Sequence, residues 1–213
     1  MTETEEQTEF KFSELSEQAK DAARDANRDW NVHYDGWWDY TYEDAVRMAK
    51  ILGIEIGHTV GGPRRPPTVD ISFSGFCSQG DGASFTGRYN FAPDAVAKMR
   101  AETTDETLIC LAEELTVLQV TAKLKYGHLV YARIESGNSH YSHSGTMRCE
   151  VFLDGDSDDD DKYLDSAPWL DIFRRFADWI YANLESEYDH LTSDEVIDEH
   201  LADLTFDEDG VVI

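Results

Sequence analysis

Several groups of residues in this chain have types and spacings that could do chemistry. Asp154, Asp156 and Asp158 occupy positions 1, 3 and 5 of a stretch whose twelfth position is Asp165, the layout of a calcium loop. Position 6 is Asp159 where such a loop turns on glycine, and the preceding segment reads as strand rather than helix, so a solvated acidic loop is expected there. His128, His140 and His143 offer imidazoles to zinc. A hairpin with Gly137-Asn138 at its turn sends His140 and His143 to opposite faces, whereas zinc ligands must converge at ~2.0–2.1 Å. Cys149 shares a face with His143, but no third group orients the imidazole, so a thiol nucleophile is not expected. Gly75-Phe-Cys-Ser-Gln-Gly-Asp-Gly-Ala83 suits a bulged hairpin whose glycines supply positive φ, leaving Gln79 and Asp81 as contacts for a ligand or partner. No catalytic set, metal site or cofactor site is expected from these groups.

Charge is the strongest signal. Against 18 Lys and Arg stand 44 Asp and Glu, a formal net of -26 on 213 residues. From Asp154 to Asp209 only Lys162, Arg174 and Arg175 oppose 20 acids. Such a field repels nucleic acid and anionic membrane and attracts basic protein surfaces. On a helix, Glu195, Glu199 and Asp203 repeat at four-residue steps of ~6 Å, with Asp194 and Asp198 beside them. Like charges at that step weaken a helix, so their retention points to a basic partner; solubility or a salt-rich setting is the plainer explanation. Asp158 and Asp160 extend the acidic candidate surface. The three cysteines, Cys77, Cys110 and Cys149, lack a C-x-x-C spacing and read as reduced thiols. No apolar run reaches the ~20 residues of a membrane span, and the acidic start is unlike a secretory signal, so a cytoplasmic protein is expected.

The elements that must position these groups follow from periodicity. A helix capped by Ser13 is expected, with Leu15, Ala19, Ala22, Ala23 and Ala26 on its apolar edge and an end near Trp30. Thr41 can cap a second, stopped by Gly53. Asp70–Phe76 and Ser84–Tyr89 alternate as strands of one hairpin. A helix follows Pro93, and a longer one from Asp105 to about Lys125 carries Leu108, Leu111, Ala112, Leu115, Leu118 and Ala122, with Ile109, Val117 and Leu124 widening the stripe. The next hairpin is expected to set Ile134 opposite Tyr141. Pro168 opens an amphipathic helix to about Glu185 along Trp169, Ile172, Phe173, Phe176, Ile180 and Leu184. A shorter helix follows Ser193, and Val211–Ile213 forms an edge strand. The expected fold is α+β: an antiparallel sheet of hairpins with helices on one face and an acidic C-terminal helical segment. The expected division is a disordered 1–8, a core over 9–153, and an acidic loop and helices over 154–213.

Phe12-Ser-Glu-Leu-Ser-Glu-Gln-Ala-Lys20 and Phe73-Ser-Gly-Phe-Cys-Ser-Gln-Gly-Asp-Gly-Ala-Ser-Phe85 together resemble an uncharacterised family of phage and prophage proteins. Its members show F-x-E-L-S-x-x-A-K followed by F-S-G-F-x-S-Q-G-D-G-A-S-F, and some are labelled antitoxin-like. The likeness covers about residues 10 to 90 and implies a mobile-element accessory protein, for which countering a host system is a common task. With the charge, this sets the expectation: a non-catalytic inhibitor of a host defence system, of anti-restriction or anti-CRISPR kind. As a nucleic-acid mimic it would bind a basic nuclease or nucleoprotein cleft, without itself binding nucleic acid or membrane. The alternative is an antitoxin-like protein that sequesters a toxin through Trp37, Trp38 and Tyr40.

Overall fold

In a computed structural model, residues 8–59, 68–137, 142–154 and 164–213 are described. All but Asp154 of the expected acidic loop Asp154–Lys162, with Asp158 and Asp160, lies outside them, as do the Gly61–Pro67 loop, Asn138, His140 and Tyr141. The architecture is α+β. Contacts divide the chain into two units, residues 1–39 with 185–213, and residues 40–184, so the first unit joins segments from both ends of the sequence.

In the larger unit, β2 (Ile54–Ile56), β5 (Gly87–Tyr89), β6 (Val130–Glu135) and β7 (Arg148–Leu153) form one antiparallel sheet in the order β2-β5-β6-β7. Alternation decides its faces: Ile54, Ile56, Tyr89, Val130, Ala132 and Ile134 are buried, and the residues between them are exposed. The helices lie on the buried face. Tyr89 packs against Trp169 and Phe173 of α5 (Ala167–Leu191) at ring distances of 5.5 and 5.7 Å, and its hydroxyl accepts from Gln119 of α4 (Glu106–Tyr126). Asp105 caps α4 by accepting from the Thr107 amide at 2.8 Å, and its other oxygen accepts from Trp179 Nε1 of α5 at 2.7 Å. Every apolar residue expected on the buried stripe of α5 is buried. On α4 the stripe is narrower than expected: Val117 and Leu124 are 62% and 84% exposed. A helix lying on one sheet needs one face, and these two residues fall outside it.

Two expected pairings differ. The expected hairpin over 70–89 is a shorter one, β3 (Ile71–Ser74) with β4 (Gly82–Phe85), and β5 leaves it for the main sheet after Thr86. In the second, Ile134 faces Cys149 rather than Tyr141, Ala132 faces Val151 and Val130 faces Leu153. The tight-turn register would place Val151 and Leu153 opposite residues 124 and 122, which belong to α4, and so leave two core residues without a strand partner. Slipping by eight residues matches apolar with apolar. An even slip also keeps every side chain on its expected face.

In the smaller unit, β1 (Phe10–Lys11) pairs antiparallel with β8 (Thr205–Phe206), and α1 (Glu17–Asn27) packs on α6 (Asp194–Leu201). Phe12, Leu15, Ala19, Ala23, Ile197, Leu201 and Phe206 form its core. The α1 cap is Ser16, which accepts from the Ala19 amide, and not Ser13, which lies in a 3-10 turn over Phe12–Glu14. Ala22 and Ala26 are exposed because only the Ala19/Ala23 edge meets α6. The helix α2 (Asp39–Leu52), which from Tyr40 onward belongs to the larger unit, begins ahead of Thr41 and ends at Gly53, whose φ of 84° no β-carbon would favour. Of the expected terminal strand, Val212 makes one bridge to Phe206.

Candidate functional site

The charged surface of the smaller unit is built from α1 and α6. Spacing sets Lys20, Arg24 and Arg28 along α1 in one row, and Glu17, Asp21 and Asp25 in another three residues ahead. Each cation pairs within its helix: Lys20 with Glu17 at 2.9 Å, Arg24 with Asp21 at 3.0 Å and Arg28 with Asp25 at 3.2 Å. The arginines also reach α6. Arg24 makes a two-pronged pair with Asp198, Nε to Oδ1 at 2.6 Å and Nη2 to Oδ2 at 2.7 Å. Arg28 donates to Asp194 at 2.5 Å and to the Thr192 carbonyl at 3.0 Å. Ser193 caps α6 by accepting from the Val196 amide.

These pairs set the local acidities. The hydrogen bond from Arg28 holds the Asp194 carboxyl below its ordinary value, and Lys20 does the same for Glu17. Bonds to Asp198 and Asp194 raise Arg24 and Arg28 above theirs. Of the five expected partner-binding acids on this helix, Asp194 and Asp198 therefore serve as internal counter-ions. Glu195, Glu199 and Asp203 are exposed and make no ion pair with a described residue. Asp203 lies in the turn after α6, which ends at Leu201. The unit holds half of the chain's 44 acids and only four cations, Lys11, Lys20, Arg24 and Arg28.

The aromatic alternative is divided by burial. Trp37 is 7% exposed, with its ring 5.6 Å from Trp38 and 6.0 Å from Tyr188. A side chain so enclosed packs its own unit and offers little to a toxin. Tyr40 is 81% exposed. Two exposed aromatics that the sequence reading left out of the candidate set, Trp30 and Tyr34, belong to the acidic unit, and Trp30 stacks on His200 at 4.4 Å.

The glycine-rich stretch is structurally engaged. Asp81 accepts from the Cys77 and Ser78 amides at 2.9 and 2.6 Å, so its carboxylate holds the loop, while Gln79 is exposed. Gly82 has no room for a β-carbon, which would stand 2.6 Å from that of His143. The backbone at 142–143 is fixed there by Ser74, whose hydroxyl donates to the Ser142 carbonyl and accepts from its amide. His143 Nδ1 accepts from the Gly145 amide at 3.1 Å. Burial pushes the Cys149 thiol up to about 11, which leaves it protonated and slow to react at neutral pH.

Residues 37–194 match the family model described as a domain of unknown function, DUF8835. The chain belongs to that family. The DUF8835 match takes in α2, α3 (Ala95–Glu102), α4 and α5 and ends on the first residue of α6, while α1 lies ahead of it. No curated protein and no solved structure matches the chain. Sequence reasoning missed two sets of residues in this DUF8835 protein. Arg24 and Arg28 carried a signal, a four-residue step with acids three residues ahead, but their partners lie 174 and 166 residues away. Gln119 carried a clearer one: a lone amide within an apolar stripe.

Proposed function

We propose that this protein is a non-catalytic acidic inhibitor that occupies a basic surface of a nuclease or nucleoprotein belonging to a host defence system. The observation that carries the reading is the charge arrangement on the smaller unit. Its arginines are consumed by internal pairs, and Glu195, Glu199 and Asp203 stand outward beside them. Glu17, Asp21 and Asp25, with side chains 72–83% exposed, form a second outward row. The resemblance to phage and prophage proteins supports the mobile-element setting.

Spacing decides how literal the mimicry is. Acids four residues apart on a helix repeat every ~6 Å, whereas one strand of duplex DNA carries a phosphate every ~3.4 Å of axis. A single acidic row is about half as dense as one strand. The reading is therefore a decoy for a cationic cleft rather than a copy of duplex geometry. Steering by such a field falls steeply with ionic strength. A pull-down from host lysate should capture a basic protein that is released between about 50 mM and 200 mM salt. The triple variant E195Q/E199Q/D203N should capture less of it. Capture that is indifferent to both salt and these substitutions would sink the proposal.

A second reading, antitoxin-like sequestration through aromatic residues, is favoured by Trp30 and Tyr34, 57% and 59% exposed on the same unit. It predicts binding that resists salt and is lost in W30A/Y34A.

A further inference from the structure

The outer face of the four-stranded sheet carries charge where the inner face carries the core. Glu55 on β2, Arg88 on β5, Arg133 and Glu135 on β6, and Glu150 on β7 all point outward. The register sets Glu55 opposite Arg88, Arg88 opposite Arg133, and Arg133 opposite Glu150. An acid–base–base–acid row thus crosses all four strands. Like charges directly opposite on neighbouring strands are destabilising, so Arg88 beside Arg133 calls for a reason.

Ion pairing within the row is incomplete. Arg133 reaches Glu150 at 3.7 Å. Arg88 and Glu55, although directly opposite, are not joined by an ion pair, and among the described residues neither they nor Glu135 has one. In a chain with 44 acids and 18 cations, an arginine without a described carboxylate partner is unexpected. These groups surround a concavity of about 350 Å³ lined by Glu55, His58, Thr86, Arg88, Arg133 and Glu135, at the small end of the range for ligand sites. Its floor is closely built: a β-carbon at Gly87 would stand 2.5 Å from the Glu55 carbonyl oxygen.

The balance of charge selects the ligand. Two guanidinium groups and two carboxylates face one space. A simple anion there meets both carboxylates and the field of a chain at -26, and a simple cation meets both arginines. A ligand carrying both charges answers all four groups and, being neutral overall, is not repelled at long range. We propose that this concavity binds a zwitterion, a free α-amino acid or short peptide. Arg88 and Arg133 receive its carboxylate, for which the guanidinium fork is suited, and Glu55 or Glu135 receives its ammonium group. The site is on the larger unit and is independent of the inhibitor reading.

The test is a titration of the isotope-labelled full chain followed by backbone amide NMR, with L-leucine and glycylglycine as probes. An open site of this size is expected to bind with Kd of about 1 mM. Shifts should be confined to residues 55–58, 86–88 and 133–135. E55Q and R88Q should each weaken binding about tenfold, while K123Q, on α4 at the opposite face of the sheet, leaves it unchanged. N-acetyl-leucine and leucinamide, each lacking one charge, should bind far more weakly than leucine. Equal binding by either capped form would overturn the proposal, as would equal loss in K123Q or the absence of shifts with both probes at about 50 mM.

Discussion

Replacing Gln119 with leucine should cost about 3 kcal/mol of stability in the larger unit. Gln119 is fully buried, and its amide takes the place of a strand residue. β5 ends at Tyr89, opposite Ala132, so Val130 two residues on has no strand beside it on that edge. The Gln119 side chain fills the gap: Oε1 accepts from the Val130 amide at 3.0 Å, and Nε2 donates to the Val130 carbonyl at 2.6 Å and to the Tyr89 hydroxyl at 3.3 Å. Leucine is close in size and makes none of these bonds. Two buried backbone groups left unpaired cost about 1–3 kcal/mol each, and the added apolar burial offsets roughly 1 kcal/mol. Urea unfolding followed by circular dichroism measures the difference. A cost below about 0.5 kcal/mol would refute the reasoning, since Val130 must then find another partner. Q119E sharpens the test. A protonated carboxyl can both donate and accept as the amide does, but a buried carboxylate cannot donate. Burial raises the folded-state pKa of that carboxyl above its unfolded value of about 4.3. Q119E should therefore approach the parent protein at low pH and lose stability as pH rises through the folded value.

In the smaller unit, a double-mutant cycle over Arg24 and Asp198 should give a coupling of about 1 kcal/mol, because the pair is two-pronged and the arginine side chain is only 17% exposed. Trp30 fluorescence, sensitive to its stack on His200, reports the unfolding. Because Arg28 depresses Asp194 below 3.8, its contribution is present above that pH and lost as pH falls through the lowered value. D194N should flatten this part of the acid limb. Thiol labelling at neutral pH should proceed at Cys77 first, then at Cys110, whose proton is held by Glu114 at 3.1 Å, and last at half-buried Cys149. Equal rates at all three would contradict the burial and bonding described. Phe176→Ala should cost about 3–5 kcal/mol, since the ring is fully buried and meets Phe85 at 5.7 Å.

What the sequence made legible was local periodicity. The α5 stripe from Trp169 to Leu184, the long helix from about Asp105 to Lys125 and the alternation of Val130, Ala132 and Ile134 depend on neighbours a few residues away, and each is found as expected. Register was less legible because turn chemistry and core pairing disagreed. Gly137-Asn138 favours a tight turn, but burying Val151 and Leu153 requires the longer loop, and burial decided the pairing. The choice of ion-pair partner was not legible at all. Nothing local to Arg24 or Asp198 says that α1 lies on α6, so a row of five acids read as uniformly available when two of them were already engaged. That engagement sharpens the functional reading. Arg24 and Arg28 hold α6 by its inner acids, and the same contact turns Glu195 and Glu199, one residue further round the helix, toward solvent. Removing the arginines should therefore weaken partner capture through loss of shape while making the unit more negative, whereas E195Q/E199Q/D203N weakens it through loss of charge with the unit intact. If binding follows net charge alone, R24A/R28A strengthens capture. If it depends on where α6 presents its outer row, R24A/R28A abolishes capture despite the added negative charge.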